Sequence, residues 1–229
     1  MRFAERIAAA IIDLDGTLLD TAPDLAAAAN RMLAELRLPP RGLDEVTAFV
    51  GQGIRNLVLR CIGDAGAADA RVANRALTAF TRHYEDISGC NTRIFPGVRE
   101  GLDALRAQGI WVACITNKAE EFTLPLLAQF GLGDDFDLVL SGDTLARKKP
   151  DPLPLQFACR RFGIAPAAAL VIGDSPNDTV AARAAGCPVA CVPYGYREGR
   201  EVRDLDCDVI VSTLAAAASL IQASNALHA

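Results

Sequence analysis

Residues 8–12 read Ala-Ala-Ala-Ile-Ile, and residues 13–20 read Asp-Leu-Asp-Gly-Thr-Leu-Leu-Asp. The apolar run predicts a buried strand that ends where the carboxylates begin. Because side chains alternate along an extended chain, Asp13 and Asp15 would point the same way. Ligands of open parallel sheets bind beyond the carboxyl ends of the strands. Two carboxylates that converge there predict a bound cation, most simply a metal ion.

The chain as a whole has 229 residues, of which 51% are hydrophobic, and a net charge of −5. This length predicts one α/β domain with a smaller insertion, or two modest domains. Acidic and basic residues are interspersed, and no cluster of Lys and Arg indicates a nucleic-acid surface. No apolar stretch approaches the roughly 20 residues of a membrane-spanning helix. We therefore expect neither nucleic acid nor a membrane as a partner.

Cysteine usage and the N-terminal sequence indicate the cellular compartment. The seven cysteines are scattered and odd in number, and none belongs to a CxxC pair. The short apolar run near the N-terminus ends in aspartates, unlike a secretory signal peptide. We expect reduced thiols in a cytoplasmic protein.

Short apolar runs alternate with amphipathic stretches along most of the chain. The runs predict strands at 7–12, 110–115, 137–141, 169–173, 188–192 and 208–212. The amphipathic stretches predict helices near 97–108, 119–130, 152–162 and 176–185. The strands lack polar alternation, as expected when helices cover both faces of a sheet. The pattern predicts an α/β fold with a doubly wound, Rossmann-like parallel sheet.

One interval, residues 20–92, contains helical patterns and no clear strand. Its first helix begins at Thr21-Ala22-Pro23-Asp24, which predicts a capping box with proline in the first turn. Further helices are predicted at 43–50, 53–62 and 67–87. This interval is too long for an ordinary connection and predicts an all-helical domain over the carboxyl ends of the strands. We assign residues 20–92 to this cap domain, and residues 1–19 and 93–229 to the α/β core domain.

Polar side chains follow four of the predicted strands. They belong to the segments Asp13-Leu14-Asp15, Thr116-Asn117-Lys118, Lys148-Lys149-Pro150 and Asp174-Ser175-Pro176-Asn177-Asp178. These segments supply acids for a metal ion, a hydroxyl and a fixed cation. Phosphoryl transfer needs this combination, because a cation must offset the charge of a phosphate ester before an anionic nucleophile can attack it. A second acid can then protonate the leaving group.

The four segments resemble the four motifs of the haloacid dehalogenase superfamily, and the helical insertion resembles its small α-helical cap. The resemblance covers nearly the whole chain. It implies that Asp13 is the nucleophile that forms an aspartyl-phosphate, and that Asp15 is the general acid and then the base. It also implies that the Asp13 side chain, the Asp15 backbone carbonyl and Asp174 bind Mg²⁺.

The same resemblance implies roles for the other polar groups. Thr116 and Lys149 would contact the phosphoryl group, and Asn117 would assist at its oxygens. Asp178 would orient either the metal shell or Lys149. The Lys-Pro pair of the superfamily favours Lys149 over Lys148 for the third motif.

Several other polar residues have simpler structural interpretations. We predict that Asp20 is an N-cap, that Asp143 is a turn residue and that Asp151 caps the helix at 152–162. Lys118 is interpreted as a loop residue within possible reach of the substrate. Neither histidine is expected to be catalytic.

The cap segment Phe49-Val50-Gly51-Gln52-Gly53-Ile54-Arg55-Asn56-Leu57 bears on the substrate. Two glycines before a helix make backbone amides available to an anion, although a plain helix–helix turn explains them equally well. The segment resembles the cap loop of bacterial phosphoglycolate phosphatases. This resemblance implies hydrolysis of 2-phosphoglycolate to glycolate and phosphate. Arg55 is our candidate for binding the substrate carboxylate, together with the amides of Gly51 and Gly53.

Alternative functions remain open at this point. Residues 16–92 contain no lysine, which excludes a Schiff-base hydrolase that needs a cap lysine. Another phosphatase for a sugar phosphate or pyrophosphate, or a β-phosphoglucomutase-like phosphomutase, would share this fold. A non-catalytic binding protein would lack at least one catalytic group, and none is missing. The expected partner is a small phosphorylated acid, and the oligomeric state is not predicted.

Overall fold

The computed structural model describes residues 3–228, so the outermost residues of the predicted core domain (1, 2 and 229) lie outside the described residues. Between residues 3 and 228 the strands are β1 (Ala9–Ile12), β2 (Leu19–Asp20), β3 (Arg93–Ile94), β4 (Trp111–Ile115), β5 (Leu138–Leu140), β6 (Ala169–Gly173), β7 (Val189–Cys191) and β8 (Val209–Ile210). Six of these described strands form one parallel sheet in the order β5-β4-β1-β6-β7-β8. All six predicted strands are therefore confirmed.

The helices of the described chain are α1 (Ala22–Glu35), α2 (Leu43–Thr47), α3 (Ile54–Ala68), α4 (Ala70–Ile87), α5 (Val98–Ala107), α6 (Glu120–Gln129), α7 (Leu153–Phe162), α8 (Pro176–Ala185) and α9 (Leu214–Asn225). Short 3₁₀ turns lie at Gly133–Asp135, Pro166–Ala168, Arg197–Gly199 and Val202–Asp204. None of the helices between residues 3 and 228 combines the length and apolarity that crossing a bilayer requires.

Apolar side chains from alternate positions of the strands pack on opposite faces of the sheet. One face packs against α5, α6 and α9, and the other packs against α7 and α8. In β1, for example, Ala10 and Ile12 belong to the first core, whereas Ala9 and Ile11 belong to the second. The predicted doubly wound α/β fold is confirmed, and β1 lies near the middle of the sheet, buried on both faces.

Helices α1 to α4 form a separate apolar core over the carboxyl end of the sheet. Its largest buried side chains include Tyr84, Phe80, Met32 and Leu33. The chain enters and leaves this helical region through β2 and β3, which pair antiparallel with Leu19 opposite Ile94. The boundaries at 19/20 and 92/93 stay predictions. We call the helical region the cap from here on.

The first cap helix starts differently from the sequence prediction. Thr21 occupies the N-cap position without a capping side-chain bond, and its hydroxyl donates to Asp15 Oδ1 at 2.6 Å. Asp24 is fully buried and accepts from the backbone N–H groups of Gly89, Asn91 and Thr92. The predicted capping box is wrong, because the segment that returns to the core brings its own unpaired donors to Asp24.

Two further predictions about capping have different outcomes. Asp20 is not an N-cap, because Thr21 occupies the N-cap position of α1. The Oδ1 atom of Asp20 instead accepts from the Tyr196 hydroxyl at 3.0 Å. Asp151 precedes the N-cap position of α7, which Pro152 occupies, but its Oδ1 accepts from the Leu153 N–H of the first turn at 2.9 Å. Asp143 lies in a turn, and its Oδ1 accepts from the N–H of Glu120 at the start of α6.

Candidate active site

Backbone hydrogen bonds beyond the strands hold the predicted site residues at the carboxyl edge of the sheet. The N–H of Asp13 donates to the Ile172 carbonyl at 3.0 Å, which extends the pairing of β1 with β6. The N–H of Thr116 donates to the Leu140 carbonyl at 3.0 Å in the same manner. Both side chains therefore start from a rigid sheet rather than from a mobile loop, as precise chemistry requires.

Three carboxylates converge at this edge, and we call Asp13, Asp174 and Asp178 the acid cluster. One carboxylate oxygen from each lies within 4.8 Å of the others. Lys149 Nζ is 2.9 Å from Asp13 Oδ1 and 2.7 Å from Asp178 Oδ1. Two of the three acids thus contact one ammonium group, Asp174 lies beside them, and the cluster as a whole carries excess negative charge.

Burial of this excess charge changes the acid–base behaviour of the cluster. Desolvation, opposed by Lys149 and reinforced by Asp178, raises the pKa of Asp13 from 3.8 to about 7. Desolvation, together with Asp178 and Asp13, raises the pKa of Asp174 well above its ordinary value. Carboxylates that lack sufficient counter-charge in a buried site are a suitable donor set for a divalent cation. The residues present therefore fit the predicted metal ion.

Asp178 is occupied by hydrogen bonds on both of its oxygens. Oδ1 accepts from Lys149, and Oδ2 accepts from the Ser175 hydroxyl at 2.8 Å and from the Ser175 N–H at 3.1 Å. Ser175 and Asp178 form the capping box of α8. Because its oxygens are already engaged, Asp178 is better suited to orient Lys149 than to bind a metal directly.

The carboxylate of Asp174 accepts two hydrogen bonds and lies in close contact with the backbone of Gly16. Its Oδ1 accepts from the Thr17 hydroxyl at 3.2 Å, and its Oδ2 accepts from the Tyr196 N–H at 2.5 Å. Gly16 has φ +87°, and a Cβ at this position would overlap the Asp174 carboxylate. The glycine after Asp15 is thus needed both for its backbone conformation and for the close approach of Asp174.

Asp15 is paired with a lysine that sequence reasoning assigned to a loop. Lys118 Nζ lies 3.0 Å from Asp15 Oδ1 and 3.1 Å from Oδ2, and only 3% of its side chain is exposed. Burial alone would lower the pKa of Lys118, but Asp15 and Tyr84 more than offset this and raise it above its ordinary value. Lys118 is therefore a charged residue of the site.

Asn117 links the cap to the loop that carries Lys149. Its Nδ2 donates to the carbonyls of Gly51 and Lys149, each at 2.8 Å. Both amide hydrogens are thereby used, and the buried Oδ1 has no hydrogen-bond partner among the described atoms. Thr116 also lies at the site, where its Oγ1 accepts from the Lys118 N–H at 3.2 Å.

The cap loop, residues 51–53, contacts the core at several points. Gln52 offers its carbonyl to Lys148 Nζ at 2.9 Å, in addition to the Asn117 contact with Gly51. Gly51 and Gly53 have φ values of +129° and +87°, and a Cβ at Gly53 would lie 2.7 Å from Lys148 Nζ. These contacts place the cap against the core.

A cavity lies between the cap and the carboxyl edge of the sheet. It is lined by Asp13, Asp15, Leu25, Val50, Gly51, Gly53, Ile54, Leu57, Thr116, Asn117, Lys118, Asp174, Ser175 and Tyr196. The structure thus brings together the predicted core residues Asp13, Asp15, Thr116, Asn117 and Asp174 with the glycines of the cap loop. Lys149 and Asp178 lie directly behind this lining. Arg55 is exposed and does not line the cavity.

Tyr196 is a further site residue without a chemical signal in the sequence. Its hydroxyl accepts from the N–H groups of Thr21 and Ala22 at 2.6 and 2.9 Å, and it donates to Asp20. Its own N–H donates to Asp174. Tyr196 therefore connects an acid of the cluster to the point where the chain enters the cap.

Known proteins resemble this chain over most of its length. A family model described as haloacid dehalogenase-like hydrolase matches residues 10–192. A phosphoglycolate phosphatase of Nitrosospira multiformis is 56% identical over 227 residues, which cover 98% of this chain and 100% of that protein. One from Thiobacillus denitrificans is 54% identical over 217 residues, covering 94% and 96% respectively.

A solved structure supports the same relationship. The crystal structure of a predicted phosphoglycolate phosphatase from Haemophilus somnus superposes with a TM-score of 0.89 at 31% identity, covering 95% of this chain and 99% of that one. The chain belongs to the haloacid dehalogenase-like hydrolase family. The resemblance that the sequence motifs predict is confirmed.

Proposed function

We propose that this protein is a Mg²⁺-dependent phosphomonoester hydrolase that converts 2-phosphoglycolate to glycolate and phosphate through an aspartyl-phosphate on Asp13. The observation that carries the reaction type is the acid cluster: Asp13 and Asp174 line the cavity under the cap, and Lys149 contacts Asp13. Relatives named phosphoglycolate phosphatase, at 54% and 56% identity over nearly the whole chain, support the substrate.

The metal site of the proposal consists of the side chains of Asp13 and Asp174 and the backbone carbonyl of Asp15. When bound, Mg²⁺ would offset the charge of the carboxylates and of the phosphoryl group. Asp178 would contribute indirectly, by holding Lys149 at 2.7 Å.

In the first chemical step, an oxygen of Asp13 attacks phosphorus and the bond between phosphorus and the ester oxygen breaks. Asp15 enters this step protonated and gives its proton to the departing glycolate oxygen, which avoids release of an alkoxide. The carboxylate that results is the form that Lys118 and Thr21 contact. Thr116 and Lys149 bind the phosphoryl oxygens as charge shifts in the transition state. Asn117 acts by positioning, since its amide hydrogens hold the Lys149 loop and the cap loop.

In the second step, water attacks the phosphorus of the aspartyl-phosphate and the Asp13–phosphorus bond breaks. Asp15 accepts a proton from this water and returns to its starting state. The cap limits the access of bulk water, because residues 51–53 contact the core. We include a cytoplasmic location in the proposal, in keeping with seven cysteines that are all free thiols.

Steady-state release of inorganic phosphate tests the function. The purified protein is given 2-phosphoglycolate, glucose phosphates and pyrophosphate, each with Mg²⁺ or with EDTA. We expect the highest kcat/KM for 2-phosphoglycolate, and activity only with Mg²⁺. A higher value for a sugar phosphate or for pyrophosphate would replace the proposed substrate. Isomerisation of a sugar phosphate with little phosphate release would instead identify a phosphomutase.

The covalent intermediate has a separate test. The enzyme is quenched with acid during turnover, digested and examined by mass spectrometry for phosphate on the peptide that contains Asp13. Phosphate on that peptide is the expected result. A phosphorylated residue elsewhere in the chain would contradict the nucleophile assignment.

A further inference from the structure

The cap supplies an apolar wall to the cavity. Its side chains there are Leu25, Val50, Ile54 and Leu57, and its other contributions are the backbones of Gly51 and Gly53. Among the described residues that line the cavity, none from the cap carries a charged side chain. A carboxylate that enters this space loses water and needs a cation from elsewhere.

The core supplies that cation in Lys118. Lys149 is already held between Asp13 and Asp178, behind the cavity lining. Lys118 lines the cavity itself, and its Nζ lies 5.0 Å from the centre of the Tyr84 ring of α4. Tyr84 is fully buried and packs against Phe122 with 4.8 Å between ring centroids. The ammonium group is therefore held in place by both the core and the cap.

The position of Lys118 relative to Asp15 selects a particular kind of acid. In the proposed reaction, Asp15 must contact the ester oxygen of the substrate. Lys118 Nζ lies 3.0 and 3.1 Å from the two oxygens of Asp15. A carboxylate joined to the ester oxygen through a single carbon falls within reach of the same ammonium group. Each additional carbon lets the carboxylate lie farther from the ester oxygen and weakens this match.

We propose that Lys118 is the residue that binds the substrate carboxylate, and that it selects phosphate esters of 2-hydroxy acids. This assignment rests on the proposed function and adds to that function the group responsible for substrate specificity. It replaces Arg55, whose side chain is exposed and outside the cavity. The amides of Gly51 and Gly53 remain available to the same carboxylate.

Substitution of Lys118 by methionine keeps the aliphatic stem and removes the charge. The variant is compared with wild type on 2-phosphoglycolate and on ethyl phosphate, which has the same ester but no carboxylate. Since Lys118 also contacts Asp15, both activities can fall. The ratio of the two kcat/KM values isolates carboxylate binding, and we expect it to fall on the order of 100-fold. An equal loss on both substrates would overturn the proposal and leave Lys118 as a positioning residue for Asp15.

Two arginine variants complete the comparison. Arg55→Met tests the competing residue, and we expect its substrate ratio to match that of wild type. Arg31→Met removes an exposed cation of α1 as a matched control. A ratio that falls in Arg55→Met but not in Lys118→Met would assign the carboxylate to Arg55 and overturn the proposal.

A measurement on the wild-type enzyme does not depend on whether Lys118→Met folds. The phosphate ester of 3-hydroxypropanoate differs from 2-phosphoglycolate by one additional carbon between the ester oxygen and the carboxylate. We expect its kcat/KM to be at least about 10-fold lower. Equal activity on both acids would overturn the assignment of Lys118. A wild-type enzyme that does not prefer 2-phosphoglycolate to ethyl phosphate would instead contradict the proposed function.

Discussion

Lys149 Nζ lies 2.9 Å from Asp13 Oδ1, and the same ammonium group is held at 2.7 Å by the fully buried Asp178. The nucleophile of the proposed reaction is therefore also one member of a buried cluster with too little positive charge. Catalysis requires the carboxylate of Asp13, whereas the stability of the metal-free protein is lowered by it. A substitution of Asp13 should therefore change activity and stability in opposite directions.

Asp13→Asn should abolish turnover and stabilise the metal-free protein. Loss of the nucleophile is expected to lower kcat by at least about 1,000-fold. Asparagine has nearly the same shape and removes one of the three carboxylates of the acid cluster, so the melting temperature in EDTA at pH 8 should rise. Asp103→Asn, on the exposed face of α5, serves as the control and should change neither quantity. Appreciable turnover by Asp13→Asn would contradict the proposed mechanism.

The stability of the metal-free protein should fall as the pH rises from 5 to 8. Burial raises the pKa of Asp13 from its ordinary value of 3.8 to about 7 in the folded protein. The folded state therefore binds the proton more tightly than the unfolded state, and this contribution to stability is lost as the pH rises through 7. Thermal melts in EDTA measure the trend, and Asp13→Asn should flatten it.

Added Mg²⁺ should oppose this loss of stability. Because the cation binds the ionised carboxylates, it should raise the melting temperature more at pH 8 than at pH 5. Melts with and without Mg²⁺ at the two pH values test this expectation. An equal shift at both values would argue against a metal site built from the acid cluster.

Tyr196→Phe should loosen the junction between the cap and the core. The hydroxyl accepts from the N–H groups of Thr21 and Ala22, and its loss leaves two partly buried donors without a partner. The expected cost is about 1–3 kcal/mol. Amide hydrogen exchange should become faster near residues 20–22, and KM should rise more than kcat falls.

Tyr194→Phe is a matched control for that variant. The Tyr194 hydroxyl donates to the Thr17 carbonyl at 3.0 Å and has no hydrogen bond to residues 20–22, so its removal should not alter exchange there. If both variants change exchange there to the same extent, the role assigned to Tyr196 is wrong.

Asp24→Asn should weaken the attachment of the cap to its return segment. The carboxylate accepts from three backbone N–H groups and from the Thr92 hydroxyl at 2.7 Å. An amide keeps only one acceptor oxygen, so buried donors lose their partner at an expected cost of about 2–5 kcal/mol. Urea denaturation measures this cost, with Asp44→Asn on the exposed surface of α2 as the control. A midpoint like that of wild type would contradict this role.

The sequence predicted the parts of the molecule that depend on local patterns. Each central strand is a short apolar run, and Asp13, Thr116 and Asp174 each follow such a run directly. Their positions at one edge of the sheet then follow from parallel topology alone. Helix α9 was not predicted, because its alanine-rich sequence has little contrast between an apolar and a polar face.

The residues whose contacts the sequence did not predict have partners far away along the chain. Lys118 pairs with Asp15 across 103 residues, and Asp24 accepts hydrogen bonds from residues 65 to 68 positions later. Arg55 has the right charge for a carboxylate, but the orientation of α3 leaves it on the surface. Such contacts depend on how the cap is placed over the sheet. The spacing of apolar residues within a single helix or strand does not predict this placement.

The antiparallel pair β2–β3 brings the entry and the exit of the cap to adjacent positions, with Asp20 opposite Arg93. The helices between β2 and β3 therefore form an insertion whose two ends lie next to each other on the surface of the core. A protein with this arrangement can exchange or remodel the inserted helices while the parallel sheet and its acids stay intact. The same catalytic edge is thereby open to new substrates through changes confined to one continuous stretch of sequence.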